Sequence, residues 1–402
     1  MKDFRVIDEF GFKLPTEIVG KPGAARGLAG ISKRFGERPL FVYPAQLAEL
    51  ASTYLQLLKD DGVAVVSFEQ AEPEPTIEYI DSAANSLRGQ GIDVVIGFGG
   101  GSAMDLAKAL AIALTQSEGI WMYANLSNRP PLPLEWDVLP VITVPTTSGT
   151  GSEVTPYAVL TKPDTQQKGT IQEPAIFPRV AVVDAELMTG MPASLTASTG
   201  MDAFAHALEA TINISKHAPM AELFGKEAMK MVFANLKGAI EQPTNLEFRQ
   251  NMALATALAG MAISHRGTTT THAIAEPLGA LTHIPHGLGV TISTIPVLRH
   301  TIEDAPEGLA QLWREVCVGQ KLENETAEAE AFVDQLEALI TAVGMNKTVE
   351  SIIGKDDCQG LDERLIDSIM KFKFRPLKQH PVEFDANSLR PIVRDIIWGQ
   401  SK

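Results

Sequence analysis

Four residues in the second half of the chain have the types and spacing to bind a divalent metal ion. Asp202 and His206 are four residues apart in MDAFAHALEA, so a helix would present both on one face. His272 and His286 follow, fourteen residues apart, in a segment with several glycines and prolines. Three imidazoles and one carboxylate suit Zn²⁺ or Fe²⁺, whereas Mg²⁺ and Ca²⁺ prefer oxygen ligands. The alternative is that the Asp202–His206 pair is only a surface hydrogen bond.

A glycine-rich loop, GFGGGS at 97–102, has the composition of a phosphate-binding turn. Glycines let the backbone approach a pyrophosphate closely, and the start of the following helix offers unpaired N–H groups. The loop departs from the dinucleotide fingerprint, because Ser102 replaces the third glycine and the loop does not follow the first strand. A tight strand-to-helix turn without a ligand remains the alternative.

A hydroxyl-rich segment, VPTTSGTGSEVTPYAVLT at 144–161, is the second candidate cofactor loop. Seven of its 18 residues are Thr or Ser, whose hydroxyls can bind phosphate, ribose or nicotinamide groups. Taken alone, the segment is more typical of an ordinary polar loop. Two phosphate-compatible loops in one half of the chain favour a nucleotide ligand.

Alternating strand and helix patterns in the first half of the chain would position both loops. Strand patterns lie at 39–43, 63–68 and 93–99, and helical patterns lie at 45–60, 77–91 and 102–115. This alternation predicts a parallel sheet covered by helices on both faces. From about Met188 onward the apolar residues have helical spacing. We therefore predict an α/β nucleotide-binding domain at 1–188 and an all-helical metal-binding and catalytic domain at 189–402.

Composition excludes several classes of partner. The 402 residues carry a formal net charge of −15, which disfavours nucleic acid and anionic membranes but not a small anionic substrate. The N-terminus lacks the apolar core of a signal peptide, and no run of 18 apolar residues exists. The two cysteines, Cys317 and Cys358, have no metal-binding spacing and favour a reducing compartment. We predict a cytoplasmic protein without a membrane span.

Four segments together match a known family pattern. They are GGGSAMDLAKAL at 99–110, PTTSGTGSEVT at 145–155, MPASLTASTGMDAFAHALEA at 191–210 and HAIAEPLGALTHIPHG at 272–287. In these motifs and their spacing the chain resembles the iron-containing, or group III, alcohol dehydrogenases over almost its whole length. The resemblance implies a Rossmann-like parallel-sheet domain, an all-α metal domain of dehydroquinate synthase-like architecture, and a cleft between them.

The resemblance also implies cofactors, an assembly and a reaction. It implies Fe²⁺ or Zn²⁺ bound by Asp202, His206, His272 and His286, and NAD, with NADP as an alternative. It implies metal-assisted hydride transfer between the nicotinamide and an alcohol or aldehyde. A homodimer or larger homo-oligomer is implied, with segment 4–19 as a candidate contact. The cofactor-contacting positions that it implies are Gly99, Gly100, Gly101, Ser102, Asp105, Thr146, Thr147, Thr150 and Lys168.

Three departures from the family pattern concern the substrate and the cofactor. Glu276 stands where the family commonly has a histidine, and Pro44 stands where NAD-using members often have an Asp. We predict NAD with weak exclusion of NADP. His265 and Arg266 stand where small or amide residues are frequent, so we predict that one of them binds a polar or anionic substrate. Glu276 would relay a proton or order the substrate. The alternative is that Arg266 pairs with Glu276 and only braces the loop.

Two other functions stay open from the sequence. One is a dehydroquinate synthase-like lyase that uses NAD and Zn²⁺, although that family usually has a different ligand pattern. The other is a non-catalytic metal-binding protein, which would leave both nucleotide loops without a ligand. Net reduction of added cofactor by an alcohol would argue against both.

Overall fold

The computed structural model forms two compact units, which we call the α/β unit and the helical unit. The residues that it describes are 10–72, 74–126, 129–165 and 167–399. The α/β unit comprises Leu14–Met191 and Gln242–Gly260. Among the described residues, the helical unit comprises residues 10–13, Pro192–Glu241 and residues 261–399. The predicted division into an α/β nucleotide-binding domain at 1–188 and an all-helical domain at 189–402 stays a prediction.

A six-stranded parallel sheet forms the centre of the α/β unit, which confirms the predicted fold class. The strands of the unit are β1 Glu17–Gly20, β2 Pro39–Pro44, β3 Val66–Gln70, β4 Val94–Gly99, β5 Val141–Pro145, β6 Tyr157–Lys162, β7 Gln167–Gln172 and β8 Val180–Val183. Their order in the large sheet is β1-β8-β5-β4-β2-β3, whereas β6 and β7 form a separate antiparallel pair. The sequence patterns did not predict this second pair.

Helices cover both faces of the large sheet. They are α1 Leu28–Ser32, α2 Ala48–Asp60, α3 Ile77–Leu87 and α4 Gly101–Ala113. Alternate residues of β2 enter different cores, since Leu40 packs with residues of α3 and α4 and Phe41 packs with residues of α1 and α2. Strands buried on both faces explain the continuous apolar runs in the sequence.

The direction of strand addition reverses between β2 and β4. From β2 the chain adds β3 on one side, and it then adds β4, β5 and β8 on the other. In open α/β sheets, ligands bind outside the carboxyl ends of the strands at such a point. The glycine-rich loop follows β4 and therefore lies at this position.

The helical unit places the four predicted metal ligands on three packed helices. From α5 onward the helices of the chain are α5 Ala193–Ile212, α6 Pro219–Glu241, α7 Leu246–Arg266, α8 Thr270–Thr282, α9 His286–Asp304, α10 Glu307–Glu315, α11 Glu325–Ala342, α12 Val349–Ile353, α13 Leu361–Phe372, α14 Phe374–Lys378 and α15 Ala386–Trp398. All of them belong to the helical unit except α7, whose residues up to Gly260 belong to the α/β unit. Helix α9 packs against both α5 and α8. Among the described residues, no helix is long and apolar enough to cross a membrane.

Candidate metal centre and cofactor loops

Three imidazoles converge on one carboxylate oxygen in the helical unit. The Nε2 atoms of His272, His286 and His206 lie 3.5, 3.6 and 3.9 Å from Oδ1 of Asp202. Neighbouring ligand atoms in a tetrahedral site with zinc–nitrogen bonds would be separated by roughly 3.3–3.4 Å. Ligand atoms of Asp202, His206 and His272 all lie within 4.8 Å of one another, which suits one shared divalent ion. His286 does not belong to that group, so its role as the fourth ligand stays a prediction.

Local sequence explains why these helices come so close. Asp202 and His206 are one helical turn apart on α5, and His286 is the first residue of α9. A Cβ added at Gly287 would lie 2.3 Å from the carbonyl oxygen of Ser198, so only glycine allows α9 to begin this close to α5. Gly287 thus helps to bring His286 to the residues of α5.

The charges and the unpaired atoms of the centre also fit a metal ion. Oδ1 of Asp202 and Nε2 of His272 are buried and have no hydrogen-bond partner among the described residues. Such unpaired atoms cost about 1–3 kcal/mol each, which coordination would offset. Burial by itself raises the pKa of Asp202, but His206 and His286 pull it well below its usual range. Burial lowers the pKa of His206 to about 4, which leaves the neutral imidazole that binds metals.

Glu209 orients His272 through its Nδ1 atom. Glu209 was not identified from the sequence as a functional residue. Its buried carboxylate accepts hydrogen bonds from Nδ1 of His272, from the Thr269 backbone N–H at 3.0 Å and from the Thr271 backbone N–H at 2.9 Å. A carboxylate on Nδ1 directs the free Nε2 toward an ion. Without an ion, burial alone would lower the pKa of His272, but Glu209 raises it to about 10, so a binding ion would displace the proton from Nε2. The available signal was spacing, since Glu209 follows His206 by three residues on α5.

Glu276 is paired with Lys373 and not with Arg266, so the predicted Arg266–Glu276 brace is wrong. Burial by itself raises the pKa of Glu276, but Lys373 lowers it to about 2. A proton relay needs a raised pKa, so the structure argues against the predicted relay role. Glu276 is an ionised carboxylate one turn after His272.

Arg266 braces the end of α5, in contrast to the predicted substrate contact. The residue is only 8% exposed. Its guanidinium donates to the backbone oxygens of Thr211 at 3.0 Å and of Lys216 at 2.8 Å, and it pairs with Glu222 at 2.9 Å. A cation at the C-terminal carbonyls of a helix is stabilised by the helix dipole. Because these donors bind the protein, the prediction that Arg266 binds an anionic substrate lacks support.

His265 anchors the N-terminal segment to α7. Its ring stacks on Phe12 with centroids 4.2 Å apart, and its Nε2 accepts a hydrogen bond of 3.1 Å from the Lys13 backbone N–H. Its Nδ1 lies 3.0 Å from the Met261 carbonyl oxygen. Burial lowers the pKa of His265. Both ring nitrogens thus have protein partners, and the predicted substrate contact lacks support here as well.

The two predicted cofactor loops contact each other in the α/β unit. The Thr146 backbone N–H donates to the Gly99 carbonyl oxygen at 2.9 Å. Gly99 has φ 149°, in the region that favours glycine, and a Cβ there would lie 2.9 Å from Cδ of Pro44. The end of β2 and the loop after β4 are therefore in close contact at the predicted ligand position.

Gly100 and Gly101, which follow Gly99, lie close to threonines of the second loop. A Cβ at Gly100 would be 3.3 Å from Oγ1 of Thr147, and one at Gly101 would be 2.6 Å from Cγ2 of Thr150. Gly101 is the first residue of α4. Hydroxyls and helix N-terminal N–H groups thus surround one small region, as a phosphate-binding site requires.

A buried polar cluster fixes the second loop to α4. Asp105, a predicted cofactor contact, accepts hydrogen bonds from the Ser152 hydroxyl at 2.6 Å and from the Val159 backbone N–H at 3.0 Å. Lys108, missed in the sequence, donates to the carbonyl oxygens of Ser152 at 2.6 Å and Tyr157 at 2.8 Å. Burial lowers the pKa of Lys108 to about 8. The structure thus gives Asp105 a loop-holding role.

The remaining predicted cofactor contacts also have protein partners. The Gln70 side chain donates to the Ser102 hydroxyl at 2.8 Å. Lys168 on β7 pairs with Glu74 at 3.1 Å. Contacts of Ser102 and Lys168 with a cofactor stay predictions.

Comparison with known proteins gives two family matches that together cover most of the chain. Residues 15–185 match iron-containing alcohol dehydrogenase, and residues 196–383 match the C-terminal model of the Fe-containing alcohol dehydrogenase family. The metal ligands and both cofactor loops fall within these ranges.

Individual relatives are similar over much of their length. The chain is 36% identical to 1,3-propanediol dehydrogenase of Klebsiella pneumoniae over 260 residues, 64% of this chain and 65% of that protein, slightly less than two thirds. It is 36% identical to sulfoacetaldehyde reductase of Bilophila wadsworthia (strain 3_1_6) over 281 residues, 68% of this chain and 70% of that protein. The structure of sulfoacetaldehyde reductase from Bifidobacterium kashiwanohense in complex with NAD+ superposes with a TM-score of 0.84 at 27% identity, covering 98% of this chain and 100% of that one.

Proposed function

The chain belongs to the iron-containing alcohol dehydrogenase family, and we propose that it is a metal-dependent, nicotinamide-linked dehydrogenase of polar alcohols or reductase of the corresponding aldehydes. The observation that carries this proposal is the convergence of three imidazole Nε2 atoms within 3.9 Å of Oδ1 of Asp202. The family match favours neither a lyase nor a non-catalytic metal-binding protein. Both alternatives are therefore set aside.

The metal centre would consist of Asp202, His206, His272 and His286. Fe²⁺, the ion of the family name, or Zn²⁺ bound by them would act as a Lewis acid that lowers the pKa of an alcohol hydroxyl. Asp202 supplies the negative charge, and His206 is held in its neutral form by burial. Glu209 directs Nε2 of His272 toward the centre.

The cofactor would be NAD, bound at the glycine-rich loop and the second loop. Support comes from the contact between Gly99 and Thr146 and from the NAD+ complex of the Bifidobacterium relative. We propose Gly99, Gly100, Gly101, Ser102, Thr146, Thr147, Thr150 and Lys168 as the residues near the cofactor, with Asp105 as a support of the second loop. NADP would be excluded only weakly, because Pro44 provides no carboxylate to repel a 2′-phosphate.

The substrate would be a small polar alcohol or aldehyde, with anionic ones included. The names of two relatives support this, since propanediol is a neutral diol and sulfoacetaldehyde carries a sulfonate. Arg266 is not part of the proposal, because its guanidinium is bound to backbone carbonyls and to Glu222. A panel of neutral and anionic substrates at equal concentration tests the assignment.

A metal-removal experiment tests the proposed reaction. Chelation should abolish alcohol-dependent NADH formation, and Fe²⁺ or Zn²⁺ should restore it. His206→Ala and His272→Ala should lose both metal and turnover, whereas His300→Ala, which changes a histidine paired with Glu303 in the same unit, should lose neither. Turnover that survives chelation, or variants that keep full activity, would contradict the proposal.

We further propose a cytoplasmic homodimer or larger assembly. Cys317 and Cys358 are free thiols, as expected in a reducing compartment. Of the predicted contact segment 4–19, residues 4–9 lie outside the described residues, and β1 begins at Glu17 on the edge of the sheet. An edge strand can pair with a second chain. A monomeric mass in light scattering at micromolar protein would contradict this part of the proposal.

A further inference from the structure

Glu276 has the spacing of an additional metal ligand. It lies four residues after His272 on α8, which is also the spacing of Asp202 and His206 on α5. Side chains at this spacing project from one helix face and can bind the same ion, as the two histidines of the H-E-x-x-H zinc motif do.

The Glu276 carboxylate is nevertheless turned toward Lys373. Nζ of Lys373 donates a hydrogen bond to Oε2 of Glu276. Lys373 lies between α13 and α14, where its N–H donates to the Ile369 carbonyl at 2.8 Å and its carbonyl accepts from the Leu377 N–H at 3.3 Å. Because its backbone is fixed on both sides, the lysine can act as a stationary partner for a flexible glutamate side chain.

A catalytic metal needs a coordination position that the protein does not fill. An ionised carboxylate one turn from His272 would compete for that position if it had no other partner. We propose that Lys373 is a positioning residue, which binds Glu276 and thereby keeps this carboxylate out of the coordination sphere of the ion. His286, whose side chain is 38% exposed, marks the accessible side of the centre, where an open position is useful. The consequence for turnover rests on the proposed function, whereas the consequence for coordination does not.

The two possible roles of Lys373 predict opposite changes in metal affinity. If Lys373 only stabilises the fold, Lys373→Met should bind metal more weakly. If Lys373 withholds Glu276, the same variant should bind metal more tightly, because a fifth protein ligand becomes available. Imidazole, a neutral probe ligand, should then bind to the cobalt-loaded variant more weakly than to the wild type.

The experiment uses the full chain loaded with Co²⁺ and follows imidazole binding by visible absorption. Lys373→Met should weaken imidazole binding and lower kcat/KM by about tenfold or more, the range usual for outer-shell partners. Chelator competition should show tighter Co²⁺ binding in the same variant. The double variant Glu276→Gln/Lys373→Met should bind imidazole as the wild type does, since an amide is a poor ligand, and Lys373→Arg should retain it as well.

Lys371→Met is the matched control, because it removes an exposed lysine two residues away on α13. It should change neither imidazole nor Co²⁺ binding. The inference would be overturned if Lys373→Met bound imidazole as the wild type does. It would also be overturned if Lys373→Met bound Co²⁺ more weakly and the double variant did not restore the affinity. If no loaded protein oxidised an alcohol, the proposed function would fail, but both binding measurements would still decide the role of Lys373.

Discussion

The substitution Glu209→Gln tests how the metal centre is oriented, because it changes the partner of His272 and leaves all four proposed ligands in place. Oε1 of Glu209 accepts from the Thr269 N–H and hydroxyl, at 3.0 and 2.9 Å, and from the Thr271 N–H at 2.9 Å, while Oε2 accepts from Nδ1 of His272. A glutamine at this position would keep the hydrogen bonds that Oε1 accepts only if its amide NH2 group took the place of Oε2. The amide would then point an N–H toward Nδ1 of His272. His272 must then move its proton to Nε2, the atom that faces Asp202.

The expected magnitude follows from that tautomer change. A protonated Nε2 cannot bind an ion, so metal affinity should fall by about 10–100-fold, or about 1.4–2.7 kcal/mol. The opposite amide orientation would face the backbone donors and lose hydrogen bonds to a charged acceptor, each worth about 1.5–3 kcal/mol. Either orientation therefore weakens the centre.

Chelator competition with purified protein measures the effect, and urea unfolding of metal-free protein separates it from a general loss of stability. Glu328→Gln is the control, because Glu328 is another buried carboxylate of the helical unit, bonded to Arg314 at 2.6 Å. It should lower stability without lowering metal affinity. Affinity of Glu209→Gln within about twofold of the wild type would refute the orienting role of Glu209.

Other regions of the molecule give further expected outcomes. Arg266→Ala should lower the free energy of unfolding by about 2–4 kcal/mol in urea titrations and reduce kcat/KM equally on anionic and neutral substrates. An anion-selective loss would contradict the bracing role. Gly101→Ala, whose Cβ would lie 2.6 Å from Thr150, should weaken NADH binding in fluorescence titrations, whereas Gly30→Ala, with nothing within 4 Å, should not; equal affinities would count against the loop assignment. Burial disfavours the charged carboxylate of Glu153 and raises its pKa from 4.5 to about 7. The contribution of Glu153 to the free energy of unfolding is therefore fully present below pH 4.5 and is lost as pH rises through about 7. The wild type should therefore lose stability relative to Glu153→Gln over that range, and a constant difference would contradict this.

The parallel sheet was predictable because its strands are buried on both faces. Every residue of β4 is buried, so VVIGFG is a short apolar run with a glycine stop. The antiparallel pair of β6 and β7 was not predicted. In β6, buried Ala158 and Leu160 flank exposed Val159, but this short alternation lies within a segment dominated by Thr and Ser.

The metal ligands were predictable from residue type and helix spacing, but their supporting partners were not. Glu209 and His272 are 63 residues apart, and Glu276 and Lys373 are 97 residues apart. Local patterns contain no information about pairs at such separations. For the same reason Arg266 was misassigned, since its use depends on carbonyls of α5 more than 50 residues away.

The central claim is that one divalent ion is bound by Asp202, His206, His272 and His286. Anomalous diffraction at the iron edge, on crystals grown from iron-loaded active protein, tests it most directly. The account predicts a single strong peak, about 2.0–2.2 Å from Oδ1 of the aspartate and from the three Nε2 atoms. A peak elsewhere in the chain, or no peak at these residues in crystals that still oxidise alcohol, would contradict it.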